Sequence, residues 1–411
     1  MTCLKILISA YACRPDKGSE PGVGWNMARE IASHHKVWVL TRVNNRESIE
    51  AELEKNPVPN LHFIYSDLPS VLGRIKQERW EIHIHYYLWQ LQAHATACKL
   101  HKEINFDVAH HVTYGRYCDP SFLAFMQIPF VWGPVGGAES APKAFWADFG
   151  FKGRVYERMR VISRWMGENN PLTHATVRHS SVAIAATQET ADHLKMMGVK
   201  NIKMIAGQTG ITQQELLQFQ NLTNTSQNRP VRFLSLGRLL HWKGFHLGLE
   251  AFVQAQLPEC EYWVIGDGPE RQRLEDFANQ SSSNGKIKFL GNIPRSEALS
   301  ALGECDVLVH PSLHDFSPTV CLEAMAAGRP VICLNIGGPA GQITQETGIR
   351  VSATNPTQTV SEISESMIRL ATNPELRLQM GKAGQQRINE HFTWERKRDF
   401  INRIYEDIKV A

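Results

Sequence analysis

The sequence has little net charge, no paired cysteines and no long apolar run, and each absence excludes a class of protein. Lysine and arginine number 44 against 41 acidic residues, a net charge of +3 that is too small to indicate a nucleic-acid partner. The eight cysteines are scattered singly without a Cys-x-x-Cys pair, which argues against a zinc site or redox motif and fits a reducing compartment. No run approaches the roughly 20 apolar residues of a membrane span. The first apolar run, Ile6–Ala12, predicts a buried strand rather than a signal peptide. These features predict a cytoplasmic protein.

The chain reads as two α/β halves. At 411 residues it is long enough for two cores, and in each half short apolar runs alternate with helical segments. This alternation predicts two parallel sheets, each covered by helices on both faces. We predict an N-terminal domain at 1–211, a linker at 212–228, a second domain at 229–392 and a last helix at about 393–409.

A stretch in the second half has the pattern of a helix N-terminus that holds an anion. Ser317 is a candidate N-cap, and the following amides of Thr319 and Val320 would point outward unpaired, where the helix dipole favours negative charge. Glu323 follows Thr319 by one turn, and Asp315 precedes the cap. A phosphate between two carboxylates that accept hydroxyl hydrogen bonds is the pattern expected for a nucleotide sugar.

A second candidate site follows the first strand of the second half, in the segment 237–244. Arg238 and Lys243 lie where a parallel strand ends, and two fixed cations there suit a diphosphate. They would stabilise the charge that grows on a nucleoside-diphosphate leaving group. The alternative, a solvated basic loop, is the ordinary reading of a lone Arg-x4-Lys.

Together these segments resemble a known family. The acid-x7-acid motif Asp315–Glu323, the following Ala-Met-Ala-Ala-Gly-x-Pro and the Gly-Arg-Leu-x-x-x-Lys-Gly loop are similar to the motifs of the retaining GT-B glycosyltransferases of family 4, also called glycosyl transferases group 1. The resemblance implies two doubly wound Rossmann-like domains that face each other across a cleft. The N-terminal domain would be on the acceptor side, and the last helix would cross back onto it. In the family the first acid is usually Glu, whereas this chain has Asp315.

The resemblance also implies roles for individual residues. Asp315 would contact the transferred sugar, Glu323 would bind the ribose and Ile293 could pack on the donor base. The glycine-rich loop 18–24 could bring backbone amides, beginning at Gly18, near the donor or acceptor. A family histidine faces the sugar near His110 and His111; because adjacent strand residues point to opposite faces, at most one of them can do so, and His111 is slightly favoured. The remaining donor-site predictions are Arg238, Lys243, Ser317, Thr319 and Val320.

The predicted activity is transfer of a hexose from a nucleoside-diphosphate sugar to a hydroxyl acceptor, with retention and without a metal or other cofactor. The chain lacks an Asp-x-Asp motif of the kind that holds a metal-diphosphate in the other large glycosyltransferase fold. The acceptor would be a glycan, a lipid-linked glycan or a small molecule, as in polysaccharide biosynthesis. A GT-B sugar-nucleotide epimerase and a non-catalytic nucleotide-sugar-binding protein remain as alternatives. A dehydrogenase is disfavoured, since no dinucleotide fingerprint is present.

The helical segment 155–166 allows two interpretations. Val155, Met159, Ile162 and Met166 fall on one stripe, in a region rich in arginine. Such a helix could lie on anionic lipid, as a peripheral contact at the inner face of the membrane. The favoured interpretation is a helix packed on the core by its apolar stripe, with a solvated basic face.

Overall fold

The computed structural model describes residues 2–15, 17–68, 81–220, 222, 229–283 and 285–410. The chain divides into two compact units. The first comprises Met1–Ala138, Ser163–Thr209 and Trp394–Ala411, and the second comprises Glu139–Ile162 and Gly210–Thr393. This division differs from the predicted boundaries, because residues 139–162 group with the second unit. Part of the predicted linker, 221 and 223–228, lies outside the described residues, and residues 213–220 form a helix of the second unit.

The first unit is built on a seven-stranded parallel sheet of order β3-β2-β1-β4-β5-β6-β7. Its strands are β1 Lys5–Ser9, β2 Lys36–Thr41, β3 Leu61–Tyr65, β4 Val108–His111, β5 Phe130–Val135, β6 Val182–Ala185 and β7 Ile202–Met204. Its helices are α1 Ser19–Ala32, α2 Arg46–Lys55, α3 Glu81–Ile104, α5 Pro171–His179, α6 Gln188–Met196 and α15 Trp394–Val410, with the end of α4 Phe151–Glu168.

Alternation along the strands supplies two cores, one on each face of this sheet. In β1, Ile6 and Ile8 join the core on the side of α1 and α15, whereas Leu7 joins the core on the side of α3. The last helix therefore packs within the first unit, where Tyr405 and Ile401 are fully buried.

The second unit is built on a six-stranded parallel sheet of order β10-β9-β8-β11-β12-β13. Its strands are β8 Val231–Leu236, β9 Cys260–Ile265, β10 Ile287–Gly291, β11 Val307–His310, β12 Val331–Leu334 and β13 Gly348–Val351. Its helices are most of α4, then α7 Gln213–Gln220, α8 Phe245–Ala255, α9 Arg271–Gln280, α10 Arg295–Glu304, α11 Thr319–Ala326, α12 Gly337–Gln342, α13 Pro356–Thr372 and α14 Pro374–Arg387.

The predicted fold class, α/β with two Rossmann-like domains, is confirmed. Strands β7 and β13 are not marked by apolar runs in the sequence, because they are short and only partly buried. The predicted loop 18–24 is wrong from residue 19 onward, since α1 begins at Ser19. Gly22 and Gly24 lie inside that helix, and a Cβ at Gly24 would collide with the carbonyl oxygen of Ala12. These glycines serve close packing of α1.

Helix α4 contradicts the favoured interpretation of its apolar stripe. Phe151, Met159 and Met166 are 75%, 58% and 62% exposed, so the stripe does not pack on a core. The buried residues of this helix are Gly153 and Glu157. The hydrophobic period correctly indicated an amphipathic helix, but the polar side faces the protein.

Candidate active site

The loops that carry the predicted donor-site residues leave the second sheet at its topological switch point. Strand β8 has β9 and β10 on one side, and the chain returns to place β11 on its other side. In open α/β sheets, ligands bind beyond the carboxyl ends of the strands at such a point. The segment 237–244 follows β8, and the segment 311–318 follows β11. The sequence motifs therefore meet where this fold forms ligand sites.

Gly244 brings these two loops into contact. Its backbone is left-handed, with φ of 65°, and a Cβ at this position would collide with the carbonyl oxygen of Pro311. Only glycine allows both the conformation and the close approach. The loop that carries Lys243 therefore packs against Pro311, the residue that follows β11.

Lys243 and Asp315 form an ion pair between the two loops. The Lys243 Nζ atom lies 2.5 Å from Asp315 Oδ2, and His310 Nε2 donates to the same oxygen at 3.0 Å. Burial alone would raise the pKa of Asp315, but Lys243 and His310 outweigh it and hold that pKa well below its usual range. Burial also lowers the pKa of His310. Asp315 is therefore an ionised acceptor at neutral pH rather than an acid catalyst.

Arg238 presents a second cation at the end of β8. Its side chain is exposed, and among the described residues it makes no ion pair or side-chain hydrogen bond. Lys243 is tied to Asp315, so the two predicted diphosphate ligands differ in the structure: one is held in place and the other projects into solvent.

Glu323 lies one turn into α11 and is buried, with 2% exposure. Burial raises the pKa of its carboxyl group, while Arg295 opposes that shift through an ion pair of 2.7 Å between Nη2 and Oε1. Arg295 itself is more than half exposed. Glu323, the residue predicted to bind the ribose, is thus already paired with Arg295 at the start of α10. Sequence reasoning missed this partner.

The start of α11 differs by one residue from the prediction. The helix begins at Thr319 with Pro318, not Ser317, in the N-cap position, because Pro318 has an extended ψ of 112°. The N-cap residue makes no side-chain capping hydrogen bond. The amides of Thr319 and Val320 still belong to its first turn. At the other end Gly328 adopts a φ of 70°, and Arg329 N donates to Ala324 O at 2.8 Å, so the helix ends in a left-handed glycine.

Two glycines of α12 fix the turn that carries Asp315. Gly337 has a φ of 59°, and Gly338 N donates to the Asp315 carbonyl oxygen at 2.6 Å. A Cβ at Gly338 would collide with the carbonyl oxygen of Phe316. The backbone position of Asp315 is therefore fixed by contacts with the backbone of α12.

Three neighbouring strands of this sheet end in glycines with positive φ. Gly237, Gly266 and Gly291 have φ of 151°, 132° and 71° after β8, β9 and within the end of β10. Gly266 N donates to Gly291 O at 2.8 Å, which ties two of these turns together. Ile293, the predicted contact of the donor base, follows the third turn and is half-buried.

Glu157 connects the loops that follow β8 and β11, and sequence reasoning missed it. Its Oε1 atom accepts hydrogen bonds from His241 Nε2 and His314 Nε2, each at 3.1 Å. Burial would raise the pKa of Glu157, but the two histidines and Arg160 lower it to about 2. His241 precedes Lys243 by two residues, and His314 precedes Asp315 by one. A single buried carboxylate therefore positions the neighbours of both charged site residues.

An aromatic stack reinforces this link. The Trp242 ring lies between Tyr156 and His314, with ring centroids 4.9 and 5.0 Å apart and interplanar angles of 6° and 17°. Offset stacking of this kind contributes about 0.5–1.5 kcal/mol per pair beyond burial.

In the first unit, His110 and His111 point to opposite faces of β4, as strand alternation predicts. His110 Nε2 donates to Gly133 O at 2.6 Å, and its Nδ1 accepts from the Tyr405 hydroxyl at 2.6 Å. His111 contacts the Tyr86 hydroxyl at 3.0 Å and the Ser121 hydroxyl at 2.7 Å. Burial lowers the pKa of both to about 4, so both are neutral near pH 7. Their role at the transferred sugar stays a prediction.

Gly18 precedes α1 and is exposed, and a Cβ there would meet nothing within 4 Å. The glycine is therefore not required at this position by close packing of the protein itself.

Within the described ranges, no group of three or more His, Cys, Asp or Glu side chains could hold a metal ion. Over the same residues, no helix has the length and hydropathy needed to cross a membrane.

Comparisons with known proteins agree with this geometry. Residues 218–387 match the family model of Glycosyl transferases group 1. The lipopolysaccharide core biosynthesis glycosyltransferase LpsE of Rhizobium meliloti is 31% identical over 163 residues, which cover 39% of this chain and 46% of LpsE. The chain spans about half the length of the curated relatives it matches.

Solved structures share the whole fold. A glycosyltransferase from Rickettsia africae superposes with a TM-score of 0.64 at 16% identity, over 99% of both chains. Anabaena Alr3699/HepE, solved in complex with UDP and glucose, gives a TM-score of 0.60 at 16% identity, over 98% of this chain and 100% of that one. The chain therefore has the fold of the GT-B glycosyltransferases, and its residues 218–387 are similar to the glycosyl transferases group 1 domain.

Proposed function

We propose that this protein is a glycosyltransferase that moves a hexose from a nucleoside-diphosphate sugar to a hydroxyl acceptor, with retention of configuration and without a metal ion. The observation that carries the proposal is the junction of Lys243 and Asp315. It joins the loops after β8 and β11 at the switch point of a sheet whose sequence matches a glycosyl transferase domain.

On the donor side, Arg238 and Lys243 would engage the diphosphate, together with the amides of Thr319 and Val320. Lys243 would then exchange part of its contact with Asp315 for phosphate oxygens. Glu323, kept in place by Arg295, would accept hydrogen bonds from the ribose hydroxyls. Charge-assisted contacts of this type are the strong ones in phosphate recognition.

On the sugar side, Asp315 would accept a hydroxyl hydrogen bond from the transferred ring. Its low pKa suits it to that role and not to proton donation. The bond between the anomeric carbon and the diphosphate oxygen breaks, and a bond to the acceptor oxygen forms on the same face. The acceptor proton passes to the leaving phosphate, whose growing charge meets Lys243, Arg238 and the helix amides. This assigns no covalent nucleophile to the protein.

The acceptor would be a glycan or a lipid-linked glycan bound on the side of the first unit. This part of the proposal draws on LpsE, which is named for lipopolysaccharide core biosynthesis. A cytoplasmic location fits the cysteines, all eight of which are unpaired with one another.

Calorimetric titration with nucleoside diphosphates tests the donor site. Replacing Arg238 or Lys243 by alanine should weaken binding by about tenfold or more, since a charged hydrogen bond is worth roughly 1.5–3 kcal/mol. Arg369→Ala, which removes an exposed arginine of α13 in the same unit, is the matched control and should bind normally. Wild-type affinity in both site variants would remove these cations from the site.

The reaction itself is tested by proton NMR of the product formed from a nucleotide sugar in excess chelator. Retention predicts the same anomeric coupling in donor and product. An inverted coupling, or activity that is lost in chelator and restored by magnesium, would contradict the mechanism. Conversion of the donor sugar to an epimer without any acceptor would contradict transfer altogether.

A further inference from the structure

Helix α4 presents an apolar face to solvent. We define its outer face as Phe151, Val155, Met159, Ile162 and Met166, whose exposures are 75%, 39%, 58%, 49% and 62%. These positions recur every three or four residues, so they form one continuous stripe along the helix. Trp165, beside the stripe, is 64% exposed. An isolated exposed apolar residue is ordinary, but a contiguous stripe marks an interaction surface.

The opposite face of the same helix is polar and is held by the protein. Glu157 is buried against His241 and His314, and Arg160 Nη2 donates to the Glu139 carbonyl oxygen at 3.0 Å. The polar face is thus fixed by specific hydrogen bonds. Rotating the helix to bury its apolar stripe would break them, so the exposed stripe is set by the fold.

The charge around the outer face has one sign. Lys152, Arg154 and Arg158 are exposed and flank the stripe. The acidic residue within 151–166 is Glu157, which faces inward. An apolar stripe flanked by cations, without an exposed acid, is complementary to an anionic lipid surface, where acyl chains receive the apolar side chains and phosphates pair with the cations.

We infer that the outer face of α4 docks this protein on an anionic lipid bilayer, with the helix axis parallel to the membrane plane. From Phe151 to Met166 the stripe runs about 22 Å at 1.5 Å per residue, so several lipids lie under it at once. The contact is peripheral and does not require the proposed reaction. Its test is accordingly independent of activity.

Vesicle co-sedimentation measures the docking directly. The wild-type chain should bind vesicles of phosphatidylcholine and phosphatidylglycerol in equal parts, and bind pure phosphatidylcholine vesicles at least tenfold more weakly. The triple variant Lys152→Gln, Arg154→Gln, Arg158→Gln should lose roughly 100-fold of its partitioning to anionic vesicles, since each cation near such a surface contributes about fivefold. Raising the salt from 0.1 to 0.5 M should weaken wild-type binding in the same direction.

A second variant isolates the apolar contribution. Phe151→Ser with Met159→Ser should reduce binding to anionic vesicles by at least tenfold and leave the circular dichroism spectrum and melting temperature unchanged, because both side chains are exposed. The control, Leu378→Ser with Lys382→Gln, changes an exposed apolar residue and an exposed cation on α14 and should bind as the wild type does. Insertion should also shift tryptophan emission to the blue, and Trp165→Phe should remove most of that shift.

Three results would overturn the inference. One is the absence of binding to anionic vesicles by folded wild-type protein. Another is undiminished binding by both α4 variants. The last is a stable dimer in sedimentation velocity that Phe151→Ser with Met159→Ser dissociates, which would assign the outer face to a second copy of the chain.

Discussion

Replacing Glu157 by glutamine should destabilise the second unit more than its position on a mostly exposed helix suggests. The carboxylate accepts hydrogen bonds from His241 and His314 in a buried setting. Its pKa falls from an ordinary 4.5 to about 2, and each unit of pKa corresponds to about 1.4 kcal/mol. The charge on this group therefore stabilises the folded state by roughly 3 kcal/mol at pH 7. Glutamine keeps the shape but lacks the charge.

The pH dependence follows from the sign of the shift. A depressed carboxyl pKa gives stability that is fully present above about pH 4.5 and is lost as the pH falls towards 2, because the unfolded state then binds the proton first. The difference between wild type and Glu157→Gln should be nearly constant from pH 8 to pH 6. It should narrow to less than half of that value at pH 3.

Urea unfolding followed by circular dichroism and tryptophan fluorescence measures the difference. The matched control is Glu304→Gln, which removes a carboxylate that is 53% exposed and pairs with Arg232 at 2.8 Å in the same unit. A surface pair of this kind contributes about 0–1 kcal/mol. Equal unfolding free energies for the wild type and Glu157→Gln at pH 7, within about 0.5 kcal/mol, would refute the reasoning.

Three further predictions concern charge, backbone and burial. Asp315→Asn should lower turnover in kinetic assays by on the order of 10- to 100-fold, while nucleoside-diphosphate affinity in calorimetry changes by less than about threefold. Equal losses of turnover and affinity would contradict the role of Asp315 at the sugar. In urea unfolding, Gly244→Ala should destabilise the folded protein by roughly 1–3 kcal/mol more than Gly198→Ala. Both glycines have positive φ, but of the two only Gly244 would place a Cβ against a carbonyl oxygen, that of Pro311. Equal losses of unfolding free energy would contradict this. Burial lowers the pKa of Lys397 to about 7, so the unfolded chain binds more protons between pH 7 and 10 and stability should rise there by up to about 1.4 kcal/mol per pH unit. Lys397→Met should flatten that rise in melting curves, and an unchanged slope would count against it.

Much of the fold could be predicted from the sequence because the strands of buried parallel sheets are short apolar runs. Leu61–Tyr65 and Val331–Leu334 are two such runs, and the structure forms strands over these residues. Gly348–Val351 was missed, since it begins with a glycine and carries an arginine, and nothing local marks it as a strand. Its place depends on pairing with β12, which is tertiary information.

The site was predictable only where its residues lie in one motif. Lys243 and Asp315 each stand in a recognisable loop, although their contact was not foreseen. Glu157 lies 84 residues from His241 and 157 from His314, and no local pattern links it to either loop. The period of α4 likewise revealed two faces without showing which one is buried. Hydrophobicity alone predicts burial of the apolar face, whereas the hydrogen bonds of Glu157 keep the polar face buried.

The grouping of residues 139–162 with the second unit bears on how the protein can be divided for study. A contiguous fragment from 210 to 393 looks like a natural expression unit, yet it would lack Phe145 and Phe149, which belong to the hydrophobic core of that unit. It would also leave His241 and His314 without their shared carboxylate. An autonomous second unit therefore requires the earlier segment to be added back, for example as an N-terminal extension of the fragment through a flexible linker. Simple truncation should instead yield an aggregation-prone product with an exposed apolar groove.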